Sequence, residues 1–192
     1  MPPANPEATR AALLSAALVV FAERTVTGTA VPVIAQQAKV ATGTLYRHWP
    51  SKEALANAVY QEAKQLFGDY LGRGRAARPV TSPAELRAAF ESVWDNLLDF
   101  AEEQPASLAF LEHQQHATYL DTANQRLVAE VEGFAASLIR TGQRLGVVRA
   151  ADPLMLTNMV FGAYVGLTKQ TWPRPAALRT EAREAVWGLL TA

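Results

Sequence analysis

Apolar residues recur along this chain at spacings of three and four. No stretch sustains the apolar/polar alternation, rich in β-branched residues, that marks a strand, so the sequence reads as all-α. Turn and breaker residues divide it into about nine helices. Three short, closely spaced helices are expected near residues 7 to 24, 31 to 38 and 42 to 48, and a fourth follows Ser51 and runs towards Tyr70. The Gly72 to Pro83 stretch, with two glycines, two prolines and three arginines, has loop composition. Further helices are expected near 84 to 103, 105 to 118, 122 to 145, 153 to 171 and 176 to 190.

Several boundaries have a local physical cause. Pro105 and Pro153 open helices because a first-turn proline forfeits no intrahelical donor, and Asp152 is placed to cap the second of these. Gly146 suits the left-handed residue beyond a helix end. The run Ala11 to Ala22 after Arg10 imitates a secretory signal, but Glu7 stands in its positive region and Leu13, Ala17, Val20 and Phe21 keep helical spacing into Glu23 and Arg24. No apolar run reaches the roughly 18 residues of a membrane span, so the expected location is the cytoplasm, with no membrane partner.

The stretch from Val31 to Lys52 reads as helix, three-residue turn, helix and a new helix start. Ile34, Ala35 and Ala38 form an apolar stripe on its first helix, Val40 plugs the turn, and Leu45 with Trp49 forms the inner face of the second. This is the packing pattern of a helix-turn-helix. At about 100° per residue, Gly43 and Arg47 point most directly away from that inner face, with Thr44 and Tyr46 on the flanks. Such a small, donor-rich surface suits a major groove about 12 Å wide, where hydroxyls and cations meet phosphates and base edges. Ser51 is placed to cap the fourth helix, with Lys52 beside it available to neutralise a phosphate.

Charge sharpens this picture. The whole chain is neutral, but residues 1 to 78 hold nine Lys/Arg against five Asp/Glu, net +4, and the remainder is net −4. The basic end is therefore the expected polyanion-binding end. Cysteine is absent, which removes disulfide frameworks, thiolate metal sites and a cysteine nucleophile. The three histidines have no evident acid or base partners in sequence and there is no phosphate-binding glycine loop, so no reaction is nominated and no enzyme is expected. Glu112, His113 and His116 share a helix face, yet no further metal ligand accompanies them, so no metal or cofactor is expected.

The pattern Ala35-x-x-Ala38-x-Val40-x-x-Gly43-Thr44-Leu45-Tyr46-x-His48-Trp49-x-Ser51-Lys52-Glu53-x-Leu55, preceded by Ala16-Ala17 and Val20-Phe21-Ala22, resembles the tetracycline repressor (TetR) family. The resemblance covers about residues 8 to 60. It implies a helix-turn-helix DNA-binding domain over residues 1 to 50 and a helical effector-binding and dimerisation domain over 51 to 192. Carried over by position, it implies DNA contacts from Thr42, Gly43, Thr44, Tyr46 and His48, with Lys52 at the backbone; the outward angle adds Arg47. It also implies a homodimeric repressor on a palindromic double-stranded operator, released by a small-molecule effector. Three positions depart from the family pattern. Lys39 stands where the turn usually has glycine, Ala41 where a serine caps, and Ala30 where a threonine caps, leaving Thr42 and Thr29 as replacement caps.

In the larger part, Met155, Met159, Gly162 and Gly166 line one face of the eighth helix, and Leu178, Ala182, Ala185, Val186 and Leu189 one face of the ninth. These last two helices are the expected interface between subunits. Phe90, Trp94, Phe110, His113, Phe134, Phe161 and Tyr164 are the effector-contact candidates; Leu97 and Trp172 belong to the same aromatic or apolar set. Trp94, His113 and Tyr164 each carry a polar atom that needs a partner if buried.

Overall fold

The computed structural model describes residues 5–74, 79–112, 116–169 and 176–191. Among them it forms α1 (Pro6–Arg24), α2 (Val31–Gln37), α3 (Thr42–His48), α4 (Lys52–Gly72), α5 (Pro83–Glu103), α6 (Pro105–Leu111), α7 (Thr122–Arg144), α8 (Pro153–Thr168) and α9 (Ala176–Thr191), with a 3₁₀ turn at His116–Thr118. The all-α expectation holds, and no strand occurs among the described residues. None of their helices is long and apolar enough to cross a membrane.

Helix starts follow local chemistry. The Asn5 side chain accepts from the Glu7 amide at 3.0 Å, and Pro6 occupies the first turn of α1. Ser82 and Glu85 make a reciprocal capping box on α5. Glu85 also accepts from the Thr81 amide and hydroxyl at 2.7 and 2.8 Å, and these bonds hold its carboxyl below the ordinary range. Asp152 caps α8 as expected, accepting from the Met155 amide at 2.8 Å.

The chain clusters into two compact units, one comprising residues to Gln65 with Pro105–Leu127, the other Leu66–Gln104 with the residues from Val128 onward. In the first, α1 supplies the wall of the core: Leu13, Ala17 and Phe21 are fully buried together with Ile34, Leu45, Leu55 and Phe110. Phe110 of α6 stacks on Phe21 with centroids 6.1 Å apart and meets Tyr60 edge-on at 6.4 Å. The expected helix from 105 to 118 instead ends at Leu111. The buried His116 ring turns inward, places Nε2 2.7 Å from the Phe110 carbonyl oxygen and pairs Nδ1 with the Tyr119 hydroxyl. A side chain thereby takes a carbonyl that a continuing helix would use itself.

In the second unit, α5 buries Leu86, Phe90, Trp94, Leu97, Leu98, Phe100 and Ala101. Phe100 makes T-shaped contacts with Phe67 and Tyr70, centroids 5.1 and 5.2 Å apart. Gly146 ends α7 at φ 69°, the left-handed residue the sequence calls for, and Gly142 lies so close to Val148 and Leu86 that a Cβ there would crowd both. Ion pairs tie α9 to α5: Arg179 meets Asp99 and Glu102 at 2.6 and 3.2 Å, Arg183 meets Asp95 at 3.0 Å, and Arg87 bridges Glu91 and Glu184.

Candidate nucleic-acid interface

The α2–α3 pair is built on a Schellman turn. Val40 donates from its amide to the Ala35 carbonyl at 2.9 Å, and Lys39 to Gln36 at 3.0 Å, satisfying the last carbonyls of α2. That geometry needs a left-handed residue, and Lys39 adopts it at φ 56°. For a side chain other than glycine the conformation costs roughly 1 kcal/mol or more. The replacement caps the sequence suggests do not form. Thr42 is the first helical residue of α3, Ala41 is its N-cap, and no side chain caps that end. Thr29 gives its hydroxyl to the Thr25 carbonyl at 2.7 Å, leaving Ala30 as the uncapped start of α2.

Against this frame α3 turns Leu45, with no exposed surface, and the adjoining Trp49, at 6%, into the core. Arg10 of α1 lies over the Trp49 ring, 5.3 Å from its centroid, so the aromatic is covered by a cation as well as by apolar neighbours. The opposite side of α3 is open. Thr42, Gly43, Tyr46 and Arg47 are exposed, Thr44 and His48 half-buried, and Tyr46 keeps 52% of its surface accessible. A Cβ at Gly43 would find no atom within 4 Å. Six of the seven residues singled out from sequence for DNA contact thus belong to this helix.

The seventh, Lys52, is half-buried and engaged within the chain. Its Nζ donates to the carbonyl oxygens of Thr29 and Thr27 at 3.0 and 3.5 Å. Ser51 caps α4 as expected, accepting from the Ala54 amide at 3.1 Å. Sequence reasoning missed the structured connection between α1 and α2, where Thr25 is left-handed at φ 63° and Gly28 has no room for a Cβ beside the Arg24 carbonyl. The Thr25-x-x-Gly28-Thr29 run was its visible signal.

The effector-contact candidates are divided between the two units. Phe110 belongs to the first unit's core, whereas Phe90, Trp94, Phe134, Phe161 and Tyr164 lie in the second. His113 and Trp172 lie outside the described residues. Phe90 stacks on Trp94 with centroids 6.4 Å apart and tilts onto Trp187 at 5.0 Å. Phe161 tilts onto Tyr164 at 5.6 Å but is itself 41% exposed, and Phe134 is half-buried. Trp94 is 1% exposed, and its Nε1 has no hydrogen-bond partner among the described residues.

A second exposed surface is apolar. Leu154, Met155, Met159 and Phe161 of α8 are 41–47% exposed, and Gly162 and Gly166 leave open space beside them. On α9, Ala185 is exposed and Leu178, Ala182 and Leu189 half-buried, while Val186 is buried at 5%.

Two family models match this chain: residues 13–59 fit the bacterial regulatory proteins of the tetR family, and residues 60–180 the tetracyclin repressor-like C-terminal domain. The HTH-type transcriptional repressor KstR2 of Mycolicibacterium smegmatis is 34% identical over 97 residues, 47% of this chain and 46% of that protein. The chain therefore spans about half the length of the curated relative it matches. Among solved structures, a tetR family transcription regulator from Shewanella sp. PV-4 superposes with a TM-score of 0.76 at 27% identity, covering 96% of this chain and 98% of that one. AibR in complex with isovaleryl coenzyme A and operator DNA shares the fold at a TM-score of 0.74 and 17% identity, with 95% and 98% coverage.

Proposed function

Since this chain belongs to the TetR family of transcriptional regulators, we propose that it acts as a homodimeric repressor that binds a palindromic operator and is released by a small molecule. The observation that carries the reading is the outer face of α3, where Thr42, Gly43, Thr44, Tyr46, Arg47 and His48 present hydroxyls, a cation and an open glycine on a helix anchored from behind by Leu45. Residues 1–50 are the DNA-reading domain in this account and 51–192 the effector-binding and dimerising one. Repression is supported by the relative KstR2, a repressor.

Dimerisation is supported by α8, whose exposed methionines and open glycines allow a second backbone to approach closely. A two-fold dimer then sets two α3 helices about 34–36 Å apart, one turn of B-form DNA. Effector binding is supported by Trp94, a buried donor without an acceptor among the described residues, beside Phe90. AibR, a protein of the same fold, was crystallised with both a small molecule and operator DNA. An effector releases this chain from DNA by binding better to a conformation in which the two α3 helices are mis-spaced, and only by that difference in affinity.

The test is selection of bound duplexes from a random library. Two inverted half-sites about 10 base pairs apart, with affinity lost when a half-turn is inserted between them, are the expected result. Recovery of a single half-site, or indifference to the insertion, would remove the two-fold mechanism.

A further inference from the structure

The chain enters α2 from the Thr25–Ala30 connection and leaves α3 at Trp49, and one side chain joins those two ends. Lys52, the first residue of α4, reaches back 23 residues to the carbonyl oxygen of Thr29 at 3.0 Å, and to that of Thr27 at 3.5 Å. Two of the three protons of its ammonium are thereby used within the protein.

A cation is electrostatically disfavoured at a helix N-terminus, where the backbone already presents partial positive charge. Lys52 escapes this by turning its head away from α4 and onto two carbonyls that no helix satisfies. The connection it grips is itself shaped in detail. Thr25 holds a left-handed backbone that a β-branched residue rarely adopts. The Gly28 amide donates to the Thr25 hydroxyl at 3.2 Å, the Thr29 hydroxyl to the Thr25 carbonyl at 2.7 Å, and Thr29 is 3% exposed. The grip therefore closes on a defined structure.

Between the clasped ends lies α3, seven residues long, without a side-chain N-cap and held from behind by Leu45. A short helix so attached takes its direction from the elements at its two ends. We infer that Lys52 is a positioning residue: by clasping the Thr27 and Thr29 carbonyls it closes the helix-turn-helix and aims α3, and it does not neutralise a DNA phosphate. The inference rests on the reading of α3 as the DNA-contacting helix.

The test uses the full chain and the duplex that the wild-type protein selects from a random library. Wild type is titrated first across a range of salt; failure to bind with a steep salt dependence would defeat the DNA-binding reading, and this inference with it, before any variant is made. Lys52→Met is then expected to weaken binding about tenfold or more, at a temperature well below its Tm, because a lost charge-assisted hydrogen bond is expressed as misdirection of α3. The slope of log K against log salt should stay at the wild-type value. A slope shallower by about 0.9 means that Lys52 meets a phosphate, and overturns the inference. A lowered Tm with undiminished affinity overturns it as well, since the clasp would then serve stability alone. Should Lys52→Met not fold, the Lys52 ammonium ¹⁵N signal of wild type, assigned through Lys52→Arg, decides the matter. It should hold its position when the selected duplex is added, and a shift on saturation would overturn the proposal.

Discussion

Replacing Gly43 with alanine should move stability and DNA affinity in opposite directions. In the free protein the new methyl meets nothing within 4 Å, and the backbone at Gly43 is ordinary right-handed helix. Alanine exceeds glycine by up to about 1 kcal/mol in a helix interior, and at this first-turn position a gain of roughly 0.5 kcal/mol is expected. For a chain of 192 residues that raises Tm by about 1–2 °C. In the proposed docking on DNA the same methyl stands on the surface that lies against base edges. Forcing one methyl into a closely packed contact costs about 1–3 kcal/mol, which corresponds to roughly 5- to 150-fold weaker binding. Calorimetry gives the first number and fluorescence anisotropy with the selected duplex the second. Since Gly43 carries no charge, the salt slope should not change. A Gly43→Ala protein that is more stable and binds as tightly as wild type would show that this face of α3 does not approach DNA. A less stable one would show that the space around Gly43 is not open.

Gly142→Ala should lower stability by about 1–2 kcal/mol in a denaturant titration, because crowding of Val148 and of Leu86, whose Cδ2 lies 2.9 Å from the new carbon, outweighs the helix-propensity gain. Arg179→Ala removes the bonds to Asp99 and Glu102, and should cost about 1 kcal/mol at low salt and less at high salt, the pairs being partly solvated. Glu85 has a folded-state pKa below its ordinary value, so its contribution is present at neutral pH and is lost as pH falls through the ordinary carboxylate range and below. Glu85→Gln should therefore be less stable than wild type at pH 7 and converge with it in acid, as followed by thermal melts; curves that run parallel across that range would contradict the assignment. Met159→Glu, which sets a charge on the apolar face of α8, should yield a monomer by sedimentation and bind the palindrome no better than a single half-site.

What the sequence revealed depended on how local the cause was. The starts of α6 and α8 were legible because Pro105, Asp152 and Pro153 act within one turn of their own positions. Lys39 was marked out only by the resemblance, which puts a glycine at that turn, and its left-handed backbone agrees. The end of α6 was not legible: no glycine or proline stands between Leu111 and Asp121, and the bond from the His116 ring to the Phe110 carbonyl is a contact that periodicity does not encode. The same limit applies to the aromatic candidates. The sequence offered Phe110 as one aromatic candidate among several, but could not say that its neighbours would be Phe21 and Tyr60. Lys52 was visible as a cation beside a helix start, and only the three-dimensional path of the Thr25–Ala30 connection brings two carbonyls within its reach.

The left-handed Lys39 carries a consequence for speed. A glycine would occupy the turn with less backbone strain, so the present residue holds a small reserve of unclaimed stability. What lysine supplies in return is an exposed charge at the doorstep of α3, on a chain whose total charge is zero. Charges so placed bend the approach of a polyanion before contact, and their effect is felt in the rate of arrival more than in the strength of the final grip. In the proposed docking on DNA the turn thus exchanges a little stability for a shorter search.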